Sequence, residues 1–322
     1  MELKFAGRLA AMMLCAAATT ATAEVQLSVA TGGTGGVYYP LGGGIAELIN
    51  NHVEGYSATA EVTGASVENI SLIATGDADL ALVNANVAVQ AYGGTGRFEG
   101  QAVDQLRAIG TVYANMIQIV SMAGSGINTL DDLKGKRVSI GAPGSGNEVS
   151  SNEILGSNGI SYDEIDEQRL NFNETAEALG NGDIDAGIWS VGAPTSSILN
   201  LATVQDIQIM TLSDAQMDAV IANYPTYART TLAGGVYQGV DADTPVLGVA
   251  NVLVVSDEMS ADEVYTLTKA MYENIADLQA IHPAANQMTI DLTMDATPVP
   301  LHPGALRYFE ETGAEIPDRL RP

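Results

Sequence analysis

Two glycine-rich turns are the first places in this sequence where the backbone itself could do chemistry. Gly33-Thr34-Gly35-Gly36-Val37-Tyr38 follows the alternating segment Val25-Gln26-Leu27-Ser28-Val29 and precedes Leu41, Ile45, Leu48 and Ile49 at helical spacing. In a strand–turn–helix unit the first N–H groups of the helix point at whatever occupies the turn, and negative charge there gains roughly 0.3–1 kcal/mol. The turn lacks the Gly-Lys-Ser/Thr ending of a nucleotide-binding loop, and Tyr38 stands where the dinucleotide fingerprint needs its last glycine. Pro143-Gly144-Ser145-Gly146-Asn147 makes the same offer further along the chain. It is not a nucleophile elbow, because Gly-x-Ser-x-Gly would require glycine at position 143. For both turns a purely conformational need for glycine stays open.

Neutral side chains cluster around the same junctions. Thr34, Ser66, Asn69, Asn84 and Ser190 fall where strand ends meet helix starts, which is where open α/β sheets hold ligands. With Gly35, Gly36, Tyr38, Ser145, Gly146 and the single tryptophan, Trp189, they form the candidate ligand-binding set. Ser66 and Asn69 would serve equally as helix caps, and Trp189 as a core residue. No Arg or Lys lies in the segments around Thr34, Ser66 or Asn84, so neutral donors rather than an arginine clamp are expected to hold the ligand. His52, His282 and His302 are scattered outside any metal-ligand spacing, and Asp241 and Asp243 lack the loop pattern of a calcium site. Nothing nominates a catalytic residue, a metal site or a cofactor.

Composition narrows the partners. The chain carries 39 Asp+Glu against 13 Lys+Arg, a formal charge of −26. Nucleic acid is excluded, because phosphate contacts need a basic footprint. The acidity reads as a solvated surface suited to a salty habitat. Lys4 and Arg8, the apolar stretch Leu9 to Ala18 and the small residues Ala21-Thr22-Ala23 read as an export signal over residues 1–23. Cleavage there would remove Cys15 and leave a cysteine-free periplasmic protein with a formal charge of −27 once Glu2, Lys4 and Arg8 are gone.

The elements that would position these residues come in two similar rounds. In the first, the strand at 25–29 and its turn lead to a helix, a strand at 58–63, a helix beginning at Ser66 and a buried strand at 79–83. In the second, Lys136–Ile140 is a strand, 147–155 a helix, 175–179 helical and 184–189 a strand. Gly76-Asp77-Ala78-Asp79 and Gly182-Asp183-Ile184-Asp185 precede the last strand of each round, which suggests two related lobes. A strand at 246–255 and a helix from Ala261 to about Leu278 follow. Strands alternating with helices predict an α/β fold in which each lobe is a mainly parallel sheet flanked by helices, with the ligand in the cleft between them. The expected division is 24–122 plus 250–322 for lobe 1 and 123–249 for lobe 2. The chain would cross between lobes near Ser121–Gly124 and near Gly248–Asn251.

Longer runs carry a family resemblance. Gly-Thr-Gly-Gly-Val-Tyr-Tyr-Pro-Leu at 33–41, Val-Thr-Gly-Ala-Ser-Val-Glu-Asn at 62–69 and Leu-Lys-Gly-Lys-Arg-Val-Ser-Ile-Gly-Ala-Pro-Gly-Ser-Gly at 133–146 resemble the TAXI receptors of TRAP transporters. So do Gly-Asp-Ile-Asp-Ala at 182–186, Val-Tyr-x-Leu-Thr-Lys-Ala at 264–270 and Leu-His-Pro-Gly-Ala at 301–305. The resemblance implies a type II periplasmic-binding fold and a ligand of the glutamate, glutamine or 2-oxoglutarate class. It also implies delivery to TRAP membrane subunits. Asn84 stands where that family often has Gln, and Trp189 where other residues are common, so ligand choice is left open. A receptor for an ABC importer shares the fold and is the alternative; an enzyme built on the same fold is a second.

Overall fold

The computed structural model describes residues 24–322; the export signal read at 1–23 lies outside them. The first round of elements is β1 (Val25–Ala30), α1 (Tyr38–His52), β2 (Tyr56–Glu61), α2 (Ser66–Thr75), β3 (Leu80–Asn84) and α3 (Ala85–Gly93), followed by the long strand β4 (Leu106–Met122). The second round is β5 (Arg137–Ser139), α4 (Gly146–Ser157), β6 (Asp166–Gln168), α5 (Phe172–Asn181), β7 (Ala186–Val191) and α6 (Ser196–Val204). After it come β8 (Ile207–Met210), α7 (Asp214–Asn223), β9 (Tyr227–Leu232) and β10 (Thr244–Ser256). The chain then closes with α8 (Ala261–Glu273), α9 (Ile275–Ile281), α10 (Ile290–Ala296) and α11 (Pro303–Glu311).

The main path of the sheet runs β2-β1-β3-β10-β4-β7-β5-β6, with β8 on β4 and β9 on β10. Read from either end, the order is the same: a parallel trio, β2-β1-β3 or β6-β5-β7, meets one long antiparallel strand, β10 or β4. This is the α/β arrangement expected, and the repeated motif explains it. Gly76 (φ 74°) and Gly182 (φ 77°) end α2 and α5 in the left-handed conformation that glycine adopts without penalty. The second aspartate of each motif then clasps the neighbouring strand. Asp79 Oδ2 accepts from Ser28 N at 2.7 Å while Asp79 N donates to Ser28 O. Asp185 Oδ2 accepts from Arg137 N at 2.8 Å while Asp185 N donates to Arg137 O. Gly-Asp-x-Asp is a joint between a helix end and a sheet, not part of a binding site.

β4 carries no alternation in LRAIGTVYANMIQIVSM and is mostly buried, so periodicity could not reveal it. It pairs with β10 as far as Met116 and with β7 from Met116 to Ser121. The change of partner therefore falls upstream of the Ser121–Gly124 crossing read from the sequence. β10 pairs with β9 through Val249 and with β3 from Asn251, within the second expected crossing. The single helix expected from Ala261 to Leu278 is two, broken at Asn274 (φ −117°, ψ 29°).

Packing follows the strand parity. In β7, Ala186 and Ile188 join one apolar cluster with Ile127, Leu133 and Ile154, while Trp189 and Val191 face a larger one that extends to Val29, Leu82 and Phe309. The larger cluster draws on both trios, so the two halves share part of one core.

Candidate functional site

A cavity of about 250 Å³ lies where the C-terminal ends of the two parallel trios face each other. Its wall includes the starts of five helices: Val37 and Tyr38 of α1, Ala65 and Ser66 of α2, Asn84 before α3, Ser145 to Asn147 at α4, and Asn171 and Phe172 at α5. None of its lining residues is Asp, Glu, Lys, Arg or His. Positive potential there comes from the helix starts; α1 and α3 have no side-chain cap, whereas the first N–H groups of α2 are taken by Gly144 O. Ala65, which precedes α2 at the wall, is the only non-glycine with positive φ (74°) among the described residues, a strained conformation of the kind that gathers at ligand sites.

Asn84 is the hub of the polar floor. Its side chain lies 2.6 Å from the Tyr38 hydroxyl, 3.4 Å from Ser66 Oγ, 3.3 Å from Asn115 Nδ2 and 3.4 Å from Ser190 Oγ. The Tyr38 hydroxyl also lies 2.5 Å from Asn251 Oδ1. A phenol has one proton, so it donates to one amide and accepts from the other, which must turn its nitrogen toward it. Burial pushes both the Tyr38 and Tyr113 phenols up from their ordinary value, so both stay neutral.

Two buried atoms on this wall have no partner among the described residues: the Tyr113 hydroxyl and Asn115 Oδ1. Asn115 Nδ2 is engaged with the Ser190 carbonyl at 2.9 Å, which orients the amide and leaves its oxygen free. Buried polar groups are almost always paired. Both belong to residues that line the cavity, where a ligand with its own donor and acceptor would satisfy them.

Contacts around the rim bring the two trios together. Gly144 O accepts from Val67 N and Glu68 N at the start of α2, and Gly35 O accepts from Thr195 Oγ1 at 2.9 Å and from Ser197 N at 3.4 Å. Glu68 and Glu148, each in the first turn of its helix, fold back onto Gly64 N (2.6 Å) and Gly144 N (2.9 Å). These carboxylates are committed to the rim and absent from the wall.

Of the residues singled out in the sequence, Gly36, Tyr38, Ser66, Asn84, Ser145, Gly146 and Ser190 line the cavity. Thr34, Gly35, Asn69 and Trp189 do not. Thr34 Oγ1 accepts from Asn173 Nδ2 at the rim, where Gly35 also lies. Asn69 is fully buried and ties strands together, donating to Thr31 O at 2.7 Å and Leu82 O at 2.8 Å. Ser66 is not a cap: Ala65 precedes the helix, and Ser66 Oγ accepts from Asn84 N at 3.0 Å.

Trp189, read from the sequence as a candidate ligand-binding residue, has no exposed surface. Its indole N–H donates to Ser197 Oγ at 3.2 Å, and its ring stacks on Phe172 with centroids 6.4 Å apart. The alternation that aligns Trp189 with Val83 also turns both into the core; the next residues, Ser190 and Asn84, take the cavity positions. Trp189 therefore backs the wall through Phe172.

Sequence reading missed Tyr113, Asn115, Asn147, Phe172 and Val191 on the wall and Asn251 behind it. Tyr113, Asn115 and Asn251 sit on the long strands β4 and β10, and polar residues inside otherwise apolar strands are the signal that could have found them.

A second hollow of about 770 Å³ lies on the other side of α4, lined among others by Gln90, Arg97, Glu148, Glu153 and Arg169. Its arginines are already paired with Glu148, so it is an ion-pair cluster rather than a prepared site. Among the described residues no group of His, Cys, Asp or Glu could hold a metal, and no helix is long and apolar enough to cross a membrane.

A sheet of this order with a cavity between its two halves is the fold of the type II periplasmic binding proteins. Solved structures show the same fold. A protein of Bordetella bronchiseptica RB50 aligns at 19% identity over 92% of this chain and 91% of that one, with a TM-score of 0.54. A putative L-cystine ABC transporter protein from Listeria monocytogenes aligns at 13% over 84% and 98%, with a TM-score of 0.51. The alkanesulfonate-binding protein SsuA from Xanthomonas axonopodis pv. citri, bound to MOPS, aligns at 17% over 89% and 91%, with a TM-score of 0.50. The chain belongs to the NMT1-like family, whose model matches residues 29–313.

Proposed function

We propose that this protein is an extracytoplasmic receptor that captures a small carboxylate between two lobes and delivers it to a membrane transporter. The observation that carries the reading is the convergence of five helix starts on one cavity whose lining has no charged side chain. Such a site stabilises one buried negative charge through backbone dipoles and neutral donors. The lobes we assign are 24–115 plus 250–322 and 116–249, following the change of strand partner at Met116 and at Gly248–Asn251.

Two membrane partners fit a receptor of this type. An ABC importer is favoured by the solved structures, which include a putative ABC transporter protein and an alkanesulfonate-binding protein. A TRAP transporter is supported by the sequence runs at 33–41, 133–146 and 301–305. Uptake into vesicles carrying the cognate membrane subunits separates them: ATP hydrolysis drives the first, an ion gradient the second.

The receptor reading is tested by melting the ligand-stripped protein with a panel of monocarboxylates, hydroxy acids, oxo acids, dicarboxylates and amino acids. Binding to the folded state alone raises stability by RT ln(1 + [L]/Kd), about 2.7 kcal/mol at 100 Kd. A reproducible upward shift with at least one carboxylate is expected. A flat response across the panel overturns the reading.

A further inference from the structure

We infer that the ligand is a short hydroxy-monocarboxylate: one carboxylate, one uncharged hydroxyl and an aliphatic body. The inference rests on the carboxylate-receptor reading and narrows it by what the wall can and cannot satisfy.

Charge sets the first limit. An α-amino acid brings an ammonium that needs a carboxylate once buried, and a dicarboxylate brings a second anion that needs its own donors or a cation. The wall contains neither an acidic nor a basic side chain. The carboxylates at the rim, Glu68 and Glu148, are bound to Gly64 N and Gly144 N. Glu148 is also paired with Arg169. The helix starts supply enough positive potential for one anion, and nothing on the wall answers a second charge of either sign.

Shape and apolar surface set the second. Val62, Ala65, Ala142, Phe172 and Val191 form much of the wall. Phe172 is fixed from behind by its stack on the buried Trp189. At about 250 Å³ the cavity lies below the ~300–1,000 Å³ usual for drug-sized ligands, which suits an acid of a few carbons rather than a long chain or an aromatic ring system.

The unpaired atoms set the third. Asn115 Oδ1 can only accept, and its amide is held by the Ser190 carbonyl, so it calls for a donor on the ligand. The Tyr113 hydroxyl, neutral and unpaired on a residue of the same wall, calls for an acceptor. A hydroxyl group is one atom that does both, and it brings no charge. A carboxylate could satisfy Tyr113 but would face Asn115 Oδ1 with like polarity.

The experiment is calorimetric titration of the ligand-stripped protein with matched four- and five-carbon acids: the plain monocarboxylate, its hydroxy derivative, the corresponding amino acid and the dicarboxylate. The hydroxy acid is expected to bind at least tenfold more tightly than the plain acid, and the amino acid and dicarboxylate at least a hundredfold more weakly than the hydroxy acid. Tyr113→Phe should erase the hydroxy acid's advantage over the plain acid. Because that hydroxyl has no protein partner, the variant's ligand-free melting temperature should not fall, which separates lost recognition from lost folding. Tighter binding of glutamate, 2-oxoglutarate or another doubly charged ligand overturns this inference and leaves the receptor reading standing. Equal binding of plain and hydroxy acids overturns the assignment of Tyr113 and Asn115. Failure of every carboxylate to bind overturns both readings.

Discussion

Gly146 is the residue at which closure of the two lobes can be tested most directly. It opens α4 in the second lobe, and a Cβ built on it would lie 2.5 Å from Ser66 Oγ and 2.9 Å from Asn84 Cγ and Nδ2, all in the first lobe. Ordinary carbon contacts begin near ~3.4 Å, so Gly146→Ala requires about 1 Å of separation between α4 and the opposite wall. Ser66 and Asn84 cannot easily yield, since Ser66 Oγ is bound to Asn84 N and Asn84 anchors Tyr38. Overpacking of this kind costs roughly 1–3 kcal/mol, and each 1.4 kcal/mol is about tenfold in affinity. The variant should therefore bind about 5- to 150-fold more weakly. The clash exists only when the lobes meet, so the melting temperature of the ligand-free protein should be unchanged or slightly raised by alanine's helix preference. Gly156→Ala in the same helix is the control: its Cβ would meet nothing within 4 Å, and it should gain roughly 0.5–1 kcal/mol of stability with wild-type affinity. The assay is calorimetry with the acid giving the largest melting shift, joined to small-angle scattering for compaction on binding. Wild-type affinity and compaction in Gly146→Ala would show that the bound state does not bring these surfaces together.

Glu153 is buried, and its carboxylate takes hydrogen bonds only from neutral groups: Asn86 and Gln90 of α3 and Tyr227 of β9. Desolvation raises its pKa, so the folded state keeps a proton that the unfolded chain releases, and stability falls as pH rises between the unfolded and folded values. Glu153→Gln should remove that slope, measured by urea denaturation across acidic to neutral pH; parallel curves for the two proteins would contradict it. Ala65→Gly should relieve the strained backbone (φ 74°, ψ −152°) by roughly 1–3 kcal/mol, less about 0.5–1 kcal/mol for glycine's entropy, and raise the melting temperature. A lower melting temperature would refute the strain. The lone indole should emit as a buried tryptophan and resist iodide quenching, with Phe172→Ala shifting it to longer wavelength; ready quenching in the wild type would place Trp189 at the surface.

Local pattern was enough to find most of the first lobe's elements and the duplicated grammar of the second, because half-buried strands and amphipathic helices write their periods into nearby residues. It was also enough to anticipate neutral donors at the junctions, since no arginine or lysine stands in those segments. Capping chemistry misled at Ser66, whose hydroxyl is drawn away by Asn84 N, a partner 18 residues distant. Parity misled at Trp189, where one step along β7 separates core from cavity. What only the tertiary structure decided is the identity of the cavity floor. Tyr113, Asn115 and Asn251 lie on the long strands β4 and β10, far in sequence from both glycine-rich turns. They meet Asn84 and Ser190 because antiparallel pairing sets Asn251 against both Asn84 and Tyr113, and Ile117 against Ser190. Register between strands so far apart in sequence follows from packing of the whole sheet, so no short window of sequence contains it.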